Sequence, residues 1–301
     1  MHLTLSLASL SILLFSCSQA IQSDPIHDYN SFPAASEFLE GVNRFPFGVV
    51  ASSGTRLVGA TIHVSFYHSD NRRSNAYSEA EATYHPIEAS TNHFHLDESH
   101  HIHSDDLGFY MVRMVHFDKV GVWEARFTVR TSDNKRIKVT PLVFQVKSGS
   151  KIPSMGELAP HSNNPTASTT YDLVGITTHP DPNPDLYTTT ISDAILGPRP
   201  LVVVFSTPAY CTSRLCGPVT DLAYGLHDQY AEVLDVIHIE PFDISTARTE
   251  GRLIPTSTLR EWGLETEPWL FIIDKDGRVV DRFEGPIPAE YLEASVRSII
   301  E

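Results

Sequence analysis

One stretch of the carboxy-terminal half decides the fold, PLVVVFSTPAYCTSRLCGPVTDLAYGL at residues 200–226. Residues 201–205 form a continuous apolar and β-branched run, which is typical of a strand buried on both faces. Two cysteines follow, Cys211 and Cys216, and behind them apolar residues recur with a helical period over 219–230. The stretch therefore predicts a buried strand, a turn that carries two thiols, and a helix.

The segments around this stretch complete an α/β pattern. Each apolar run is bounded by Gly, Pro, Asp or Thr, which mark where elements begin and end. In chain order the pattern predicts a buried strand, a helix, a second buried strand, a short capped helix, a hairpin and an amphipathic helix, with one more short helix in front. The outer segments are 188–197 for the front helix, 233–242 for the second strand, 256–264 for the capped helix, 268–285 for the hairpin with its turn at Lys275–Gly277, and 288–300 for the last helix.

Residues 186–301 resemble the thioredoxin fold in three segments, PLVVVFSTPAYC, GPVTDLAYGL and WGLETEPWLFIIDKDGRVVDRFEG, of which the last is the most specific. In thioredoxin-like proteins a cis proline opens the first hairpin strand and faces the cysteines, and Pro268, preceded by Glu267, matches it. The sequence leaves both isomers of this bond open. The resemblance implies a central mixed sheet flanked by helices, with Cys211 as nucleophile and Cys216 as resolving thiol.

The same resemblance predicts a substrate groove lined by Tyr210, Glu267 and Pro268. Two features depart from the family pattern. Tyr210 replaces the tryptophan that commonly precedes the first cysteine, and the buried strand at 201–206 contains no acid that would relay a proton. Both departures weaken the expectation of reductase-like chemistry.

The spacing of the two cysteines restricts how they pair. Residues five apart on an ideal helix have α-carbons about 8.6 Å apart, whereas a disulfide needs less than about 7 Å. If Pro218 opens the helix, CTSRLC is a loop that is free to close. If Pro218 instead kinks a helix that already runs from about Thr212, the first turn must unwind, and the apolar string PVTDLA favours this second alternative.

We expect an enzyme of thiol–disulfide exchange that needs no cofactor and acts on protein thiols or disulfides. One alternative is a copper-binding protein in which Cys211, Cys216 and a distant histidine such as His238 hold the metal, since thiolates suit Cu(I). Another is a thiol peroxidase of the bacterioferritin-comigratory type, although Thr207 lies four places before Cys211 rather than three. A last alternative is an interaction module with a structural disulfide.

The amino terminus, residues 1–20, resembles a signal peptide whose apolar run is too short to span a bilayer. LFSC at 14–17 resembles a bacterial lipobox, so Cys17 is predicted to carry a lipid and residues 21–40 to form a flexible tether. No Lys or Arg precedes the apolar run, which leaves ordinary cleavage near Ala20 as the alternative. We expect an extracytoplasmic protein anchored to the membrane, or otherwise a secreted or periplasmic one, in a compartment where disulfides persist.

Residues 41–148 predict a second domain, an all-β sandwich, because short alternating strands are separated by Gly, Asp, Asn and Ser. The strand GVWEARFTVRT at 121–131 places one apolar face inward and is similar to immunoglobulin-like modules. Residues 149–185 are rich in Pro, Ser and Asn and predict a linker that either moves freely or packs across a surface.

A histidine-rich stretch lies between two of these strands, HFHLDESHHIHSDD at residues 93–106. Imidazoles and carboxylates are ligands for copper or zinc, so a metal site is one interpretation and a solvated loop is the other. The candidate ligands are His93, His95, His101 and His103.

The charge balance restricts the partners. The chain of 301 residues has 22 Lys plus Arg against 37 Asp plus Glu, a formal net charge of -15. This balance argues against nucleic acid or an anionic membrane surface as the main partner.

Overall fold

The computed structural model describes residues 28–71, 76–87, 107–168 and 172–301. The sequence predictions that lie outside these residues are the signal peptide, Cys17, and the candidate metal ligands His93, His95, His101 and His103. None of them is tested by the structure.

The amino-terminal domain is a nine-stranded sheet in the order β1-β3-β6-β5-β4-β7-β9-β2, with β8 paired to β7. Neighbouring strands run antiparallel, except that β2 is parallel to β9. The strands are β1 (Tyr29–Pro33), β2 (Phe38–Leu39), β3 (Gly41–Ala51), β4 (Thr61–His68), β5 (Ser78–Pro86), β6 (Gly108–Phe117), β7 (Gly121–Arg130), β8 (Arg136–Ile137) and β9 (Leu142–Lys147).

The sheet folds over itself around an aromatic core. Phe45 of β3 lies 5.0 Å, between ring centroids, from Phe66 of β4 and also from Phe144 of β9, although neither strand is its neighbour in the sheet. These rings are buried, and Trp123 of the GVWEARFTVRT strand is fully buried with them. The layered all-β domain agrees with the alternating pattern, and its likeness to an immunoglobulin domain stays a prediction.

The predicted flexible tether at 21–40 is wrong for its second half. Strand β1 starts at Tyr29 and pairs with β3 from Tyr29↔Ala51 to Pro33↔Phe47. Ser31 adds two hydrogen bonds to Thr140, one from its amide and one from its hydroxyl. Because these bonds satisfy the backbone of the segment, it is part of the folded domain rather than a tether.

The carboxy-terminal domain is built on a four-stranded mixed sheet in the order β11-β10-β12-β13. Strand β10 is parallel to β11 and antiparallel to β12, which is antiparallel to β13. Its elements are α1 (Leu173–Ile176), a short 3-10 helix (Pro184–Tyr187), α2 (Ile191–Ile195), β10 (Leu201–Phe205), α3 (Cys216–Tyr230), β11 (Asp235–Ile239), α4 (Ile244–Glu250), α5 (Ser257–Glu261), β12 (Trp269–Ile273), β13 (Val279–Glu284) and α6 (Ala289–Ile300).

This order agrees with the mixed sheet flanked by helices that the sequence predicts. Each predicted strand and helix of 186–301 is present, and the hairpin turns with Gly277 at φ 75°. Helix α4 was not predicted; it begins behind Asp243, whose side chain accepts a hydrogen bond from the Thr246 amide. Strand β10 is buried along its whole length because α3 and α6 cover one face of the sheet and α5 the other.

The described part of the predicted linker packs across the second domain. Ser162 is fully buried, donates to Glu261 at 2.5 Å and accepts from Trp262 Nε1 at 3.2 Å. The Ala159 amide donates to the Gly277 carbonyl at 2.9 Å. Of the two alternatives that the sequence leaves open, these contacts favour a linker held against a surface.

The two domains contact each other through paired charges. Both carboxylate oxygens of Asp281 accept from Arg44 Nη2 at 2.7 Å, and Arg282 donates to Glu37 at 2.7 Å. Glu284 accepts from the Ser36 hydroxyl and the Glu37 amide. The β-domain is therefore docked on strand β13.

Candidate active site

The cysteine turn lies between strand β10 and helix α3. The helix begins at Cys216, so the expectation of a helix running from about Thr212 is wrong. Arg214 has a φ of 63°, a left-handed conformation that a right-handed helix does not contain. Pro218 is the third helical residue, where its missing amide has no partner in the helix in any case.

This turn brings the two sulfurs together without a regular helix between them. The Cys216 backbone amide donates to Cys211 Sγ at 3.3 Å, and Ser213 Oγ lies 3.3 Å from the same sulfur. Both cysteines are free thiols; Cys216 is buried and Cys211 is partly exposed. The four residues between the cysteines thus already hold Cys216 against the Cys211 sulfur while both are free thiols.

The surroundings give the two thiols opposite acidities. The Cys216 thiol, the Ser213 hydroxyl and the amides of Cys216 and Leu215 all donate to Cys211, and against the cost of burial they lower its pKa to about 5. The same hydrogen bond to Cys211, together with burial, raises the pKa of Cys216 above its ordinary value. At neutral pH Cys211 is a thiolate and Cys216 keeps its proton.

The predicted groove residues lie beside this pair. The Glu267–Pro268 peptide bond is cis, and Pro268 is buried directly before β12, with its carbonyl accepting from the Gly285 amide at 2.9 Å. Burial, and after it the charge of Cys211, raises the pKa of Glu267 to about 7. Tyr210 is half-buried directly before Cys211, and its role in binding substrate stays a prediction.

Sequence reasoning missed a buried acid at the end of strand β11. Glu240 is 6% exposed, and its Oε1 accepts from the amide and the hydroxyl of Thr178 at 2.6 and 2.5 Å. The Thr178 hydroxyl in turn accepts from the Ala209 amide at 3.1 Å, two residues before Cys211. Burial raises the pKa of Glu240 to about 7. The signal in the sequence is an acid inside the apolar run VIHIEPF at 236–242.

His238, the proposed third copper ligand, is held in the core. Its Nδ1 lies 2.6 Å from the Tyr187 hydroxyl, and its Nε2 lies 3.0 Å from both oxygens of Ser206. Burial lowers its pKa to about 4. Both ring nitrogens are therefore occupied, and the described ranges contain no group of three or more His, Cys, Asp or Glu that would hold a metal ion.

The strand order, the cis proline and the cysteine pair at the amino end of a helix agree with the fold that the sequence resemblance predicts for residues 186–301. No protein-family model matches the chain, and no curated protein matches it. In the described residues no helix is long and apolar enough to cross a membrane.

Solved structures similar to this chain are thioredoxin-like thiol:disulfide interchange proteins. A protein assigned as the interchange protein DsbE of Chlorobium tepidum is 16% identical, with a TM-score of 0.35, over 50% of this chain and 99% of its own. A thiol-disulfide isomerase of Corynebacterium glutamicum is 16% identical, with a TM-score of 0.32, over 48% and 97%. A thioredoxin-family interchange protein of Chlorobium tepidum is 19% identical, with a TM-score of 0.29, over 48% and 100%. With scores this low, the function rests on the site itself.

Proposed function

We propose that this protein catalyses thiol–disulfide exchange on protein substrates, with Cys211 as nucleophile and Cys216 as resolving thiol. The observation that carries the proposal is the asymmetric pair, in which the Cys216 amide and thiol both donate to the Cys211 sulfur. A thiolate is the attacking species, and a low pKa keeps Cys211 in that form near neutral pH. Cys216, which is buried and protonated, reacts only in the second step.

The reaction has two displacements. The Cys211 thiolate attacks one sulfur of a substrate disulfide, which forms a mixed disulfide and releases the other substrate sulfur as a thiolate. Cys216 then loses its proton and attacks Cys211, so that the Cys211–Cys216 bond forms and the second substrate sulfur leaves. Two electrons pass from the cysteine pair to the substrate, and no cofactor is needed. An external thiol must reduce the pair again.

The substrate is expected to lie across Tyr210, Glu267 and Pro268. Partly exposed Cys211 is the sulfur that it meets, whereas buried Cys216 is shielded until the mixed disulfide has formed. The β-domain lies next to this region, since the Ala34 carbonyl oxygen would lie only 2.1 Å from a β-carbon added at Gly285, whose amide donates to the Pro268 carbonyl. We propose protein thiols or disulfides as the partners, since Cys211 is partly exposed.

We also propose that the chain acts outside the cytoplasm, tethered to the membrane through a lipid on Cys17. The support is the LFSC sequence behind a short apolar run. Metabolic labelling with a fatty-acid analogue tests it: label on the wild-type chain and none on Cys17→Ala is expected. An unlabelled wild-type chain that has lost residues 1–20 would instead support ordinary secretion.

Insulin reduction by the full chain, with dithiothreitol as the external thiol, tests the main proposal. Cys211→Ser is expected to abolish turnover, and Cys216→Ser is expected to trap the mixed disulfide, which mass spectrometry detects. Ser298→Ala, on the exposed side of α6, is the matched control. A reduction potential below about -300 mV with no turnover would instead identify a structural disulfide.

A further inference from the structure

Glu267 lies at the same sheet edge as the resolving cysteine. The ladder between β10 and β12 ends at the pair Phe205↔Trp269. Thr207 follows Phe205 by two residues and Glu267 precedes Trp269 by two, so in this antiparallel register they leave the sheet side by side. The Thr207 amide donates to the Cys216 sulfur. Glu267 therefore flanks the backbone that holds Cys216.

Among the described residues, no positively charged side chain pairs with the Glu267 carboxylate. Glu267 is half-buried, and within the described ranges its side chain has no ion pair and no hydrogen bond except to its own backbone amide. Two ionisable groups interact with it electrostatically, Cys211 in the turn and Cys216 on α3. Both are acids, and Glu284 on β13 accepts from Thr266, the residue before Glu267. A carboxyl kept beside two thiols without a base is not explained by stability.

The first displacement changes the charge beside Glu267. Burial and the Cys211 thiolate raise the pKa of Glu267 to about 7. When Cys211 enters a mixed disulfide it becomes neutral, so its contribution disappears and the pKa of Glu267 falls. A group that is partly protonated in the resting enzyme is then ionised at the moment when Cys216 must lose its proton.

We propose that Glu267 accepts the proton of Cys216 in the resolving step, an inference that rests on the proposed exchange function. The S–H bond of Cys216 breaks and its proton passes to the Glu267 carboxylate. The Cys216 sulfur forms a bond to Cys211, the bond between Cys211 and the substrate sulfur breaks, and the electron pair leaves on that sulfur. Glu267 is protonated at the end of the step and returns its proton to solvent.

Ellman's reagent separates the two displacements in the reduced full-length protein, with Cys17→Ala in every chain compared so that only Cys211 and Cys216 react. Attack by Cys211 releases one thionitrobenzoate, and resolution by Cys216 releases a second, so stopped-flow absorbance gives both rates. The variant is Glu267→Gln, which keeps size and hydrogen-bonding atoms but cannot accept the proton. The matched control is Glu265→Gln, which removes an exposed acid two residues away.

In Glu267→Gln we expect the ratio of the second-phase rate to the first-phase rate to fall about 100-fold below the wild-type ratio at pH 7, the lower end of what a positioned base contributes. The wild-type second phase should slow as pH falls through the pKa of Glu267 in the mixed disulfide, below about 7. That inflection should be missing in Glu267→Gln and present in Glu265→Gln.

Two results would overturn two different claims. A wild-type chain that releases only one thionitrobenzoate and forms no internal disulfide would overturn the proposed function itself. A wild-type chain that releases both, with a second phase and an inflection unchanged in Glu267→Gln, would overturn only the role of Glu267. Glu267→Asp gives a further check, since a shorter carboxylate should restore part of the second phase if proton transfer, rather than packing, is what Glu267 supplies.

Discussion

The backbone amide of Cys216 donates to the sulfur of Cys211 at 3.3 Å, although four residues separate the two cysteines. The contact exists because Arg214 turns the chain back on itself with a positive φ of 63° and helix α3 starts only at Cys216. Cys211 therefore lies in front of the free amides of a helix amino terminus, where negative charge is favoured. The four-residue spacer therefore forms no regular helical turn, but it keeps the Cys211 sulfur beside these amides.

The first prediction concerns the acidity of Cys211. Since the Cys216 thiol is its largest stabilising donor, Cys216→Ala is expected to raise the pKa of Cys211 from about 5 towards the ordinary value of 9.0. Ultraviolet absorbance of the thiolate across a pH titration measures it, with Cys17→Ala in every chain compared so that Cys17 adds no signal. In the wild type the signal should be complete by neutral pH.

Cys211→Ala provides the control, because Cys216 should show no thiolate signal in that range. An unchanged titration midpoint in Cys216→Ala would contradict the assigned hydrogen bond. Ser213→Ala should give a smaller rise, because its hydroxyl is the weaker side-chain donor.

Much of this site follows from local sequence. The apolar run at 201–205, the helical period after Cys216 and the hairpin behind Pro268 each depend on neighbours within a few residues, and the structure has all of them. The conformation of the turn does not follow, since a positive φ at Arg214 is unfavourable for its own residue type and is imposed by the surroundings.

Long-range burial is the other part that sequence does not give. The burial of Glu240 does not follow from its neighbours in the sequence, because Thr178, which covers it, comes from a segment 62 residues earlier. The docking of the β-domain depends on pairs such as Arg44 with Asp281, 237 residues apart. Contacts of that separation leave no periodic signal.

The second prediction concerns the pH dependence of stability. Burial raises the pKa of Glu240 from 4.5 to about 7, so the folded state binds more protons than the unfolded state between these values. The free energy of unfolding must then fall as pH rises from about 4.5 to about 7. Glu240→Gln removes this slope, and relative to the wild type it should gain on the order of 3 kcal/mol between pH 4 and pH 8.

Urea unfolding at a series of pH values measures this difference. Glu265→Gln, which replaces an exposed acid, should follow the wild-type curve. If the free energies of unfolding of the wild type and Glu240→Gln changed with pH in parallel, burial would not raise the pKa of Glu240.

The third prediction tests the close approach of the two domains at Gly285. Its φ is 71°, and a β-carbon there would lie 2.1 Å from the Ala34 carbonyl oxygen. Gly285→Ala is therefore expected to cost about 2 kcal/mol or more, from the left-handed conformation and the displaced backbone together. Gly225→Ala is the control, since it lies on helix α3 with nothing within 4 Å, and it should stabilise the protein by up to about 1 kcal/mol. Thermal unfolding distinguishes the two, and equal effects would contradict the contact with Ala34.

The last prediction concerns the charge pair that joins the domains. Asp281 is 7% exposed and also accepts from Ser295, so removing Arg44 leaves a buried carboxylate with too few donors. Arg44→Met should cost about 2 kcal/mol in denaturant unfolding of the full chain, a value set by an unpaired buried charge rather than by a surface pair. In a double-mutant cycle with Asp281→Asn, the second substitution should then cost less in the Arg44→Met background than in the wild type. The pair Lys135–Asp133, which is exposed on both sides, should show no measurable coupling in the same cycle. Equal couplings for the two pairs would mean that the domains are not held by Arg44.

Insulin reduction by Arg44→Met measures the functional consequence. Asp281 and Glu284 lie on β13, which is followed by Gly285, and the Gly285 amide donates to the Pro268 carbonyl. Loosening this strand should therefore slow exchange while leaving the pKa of Cys211 unchanged.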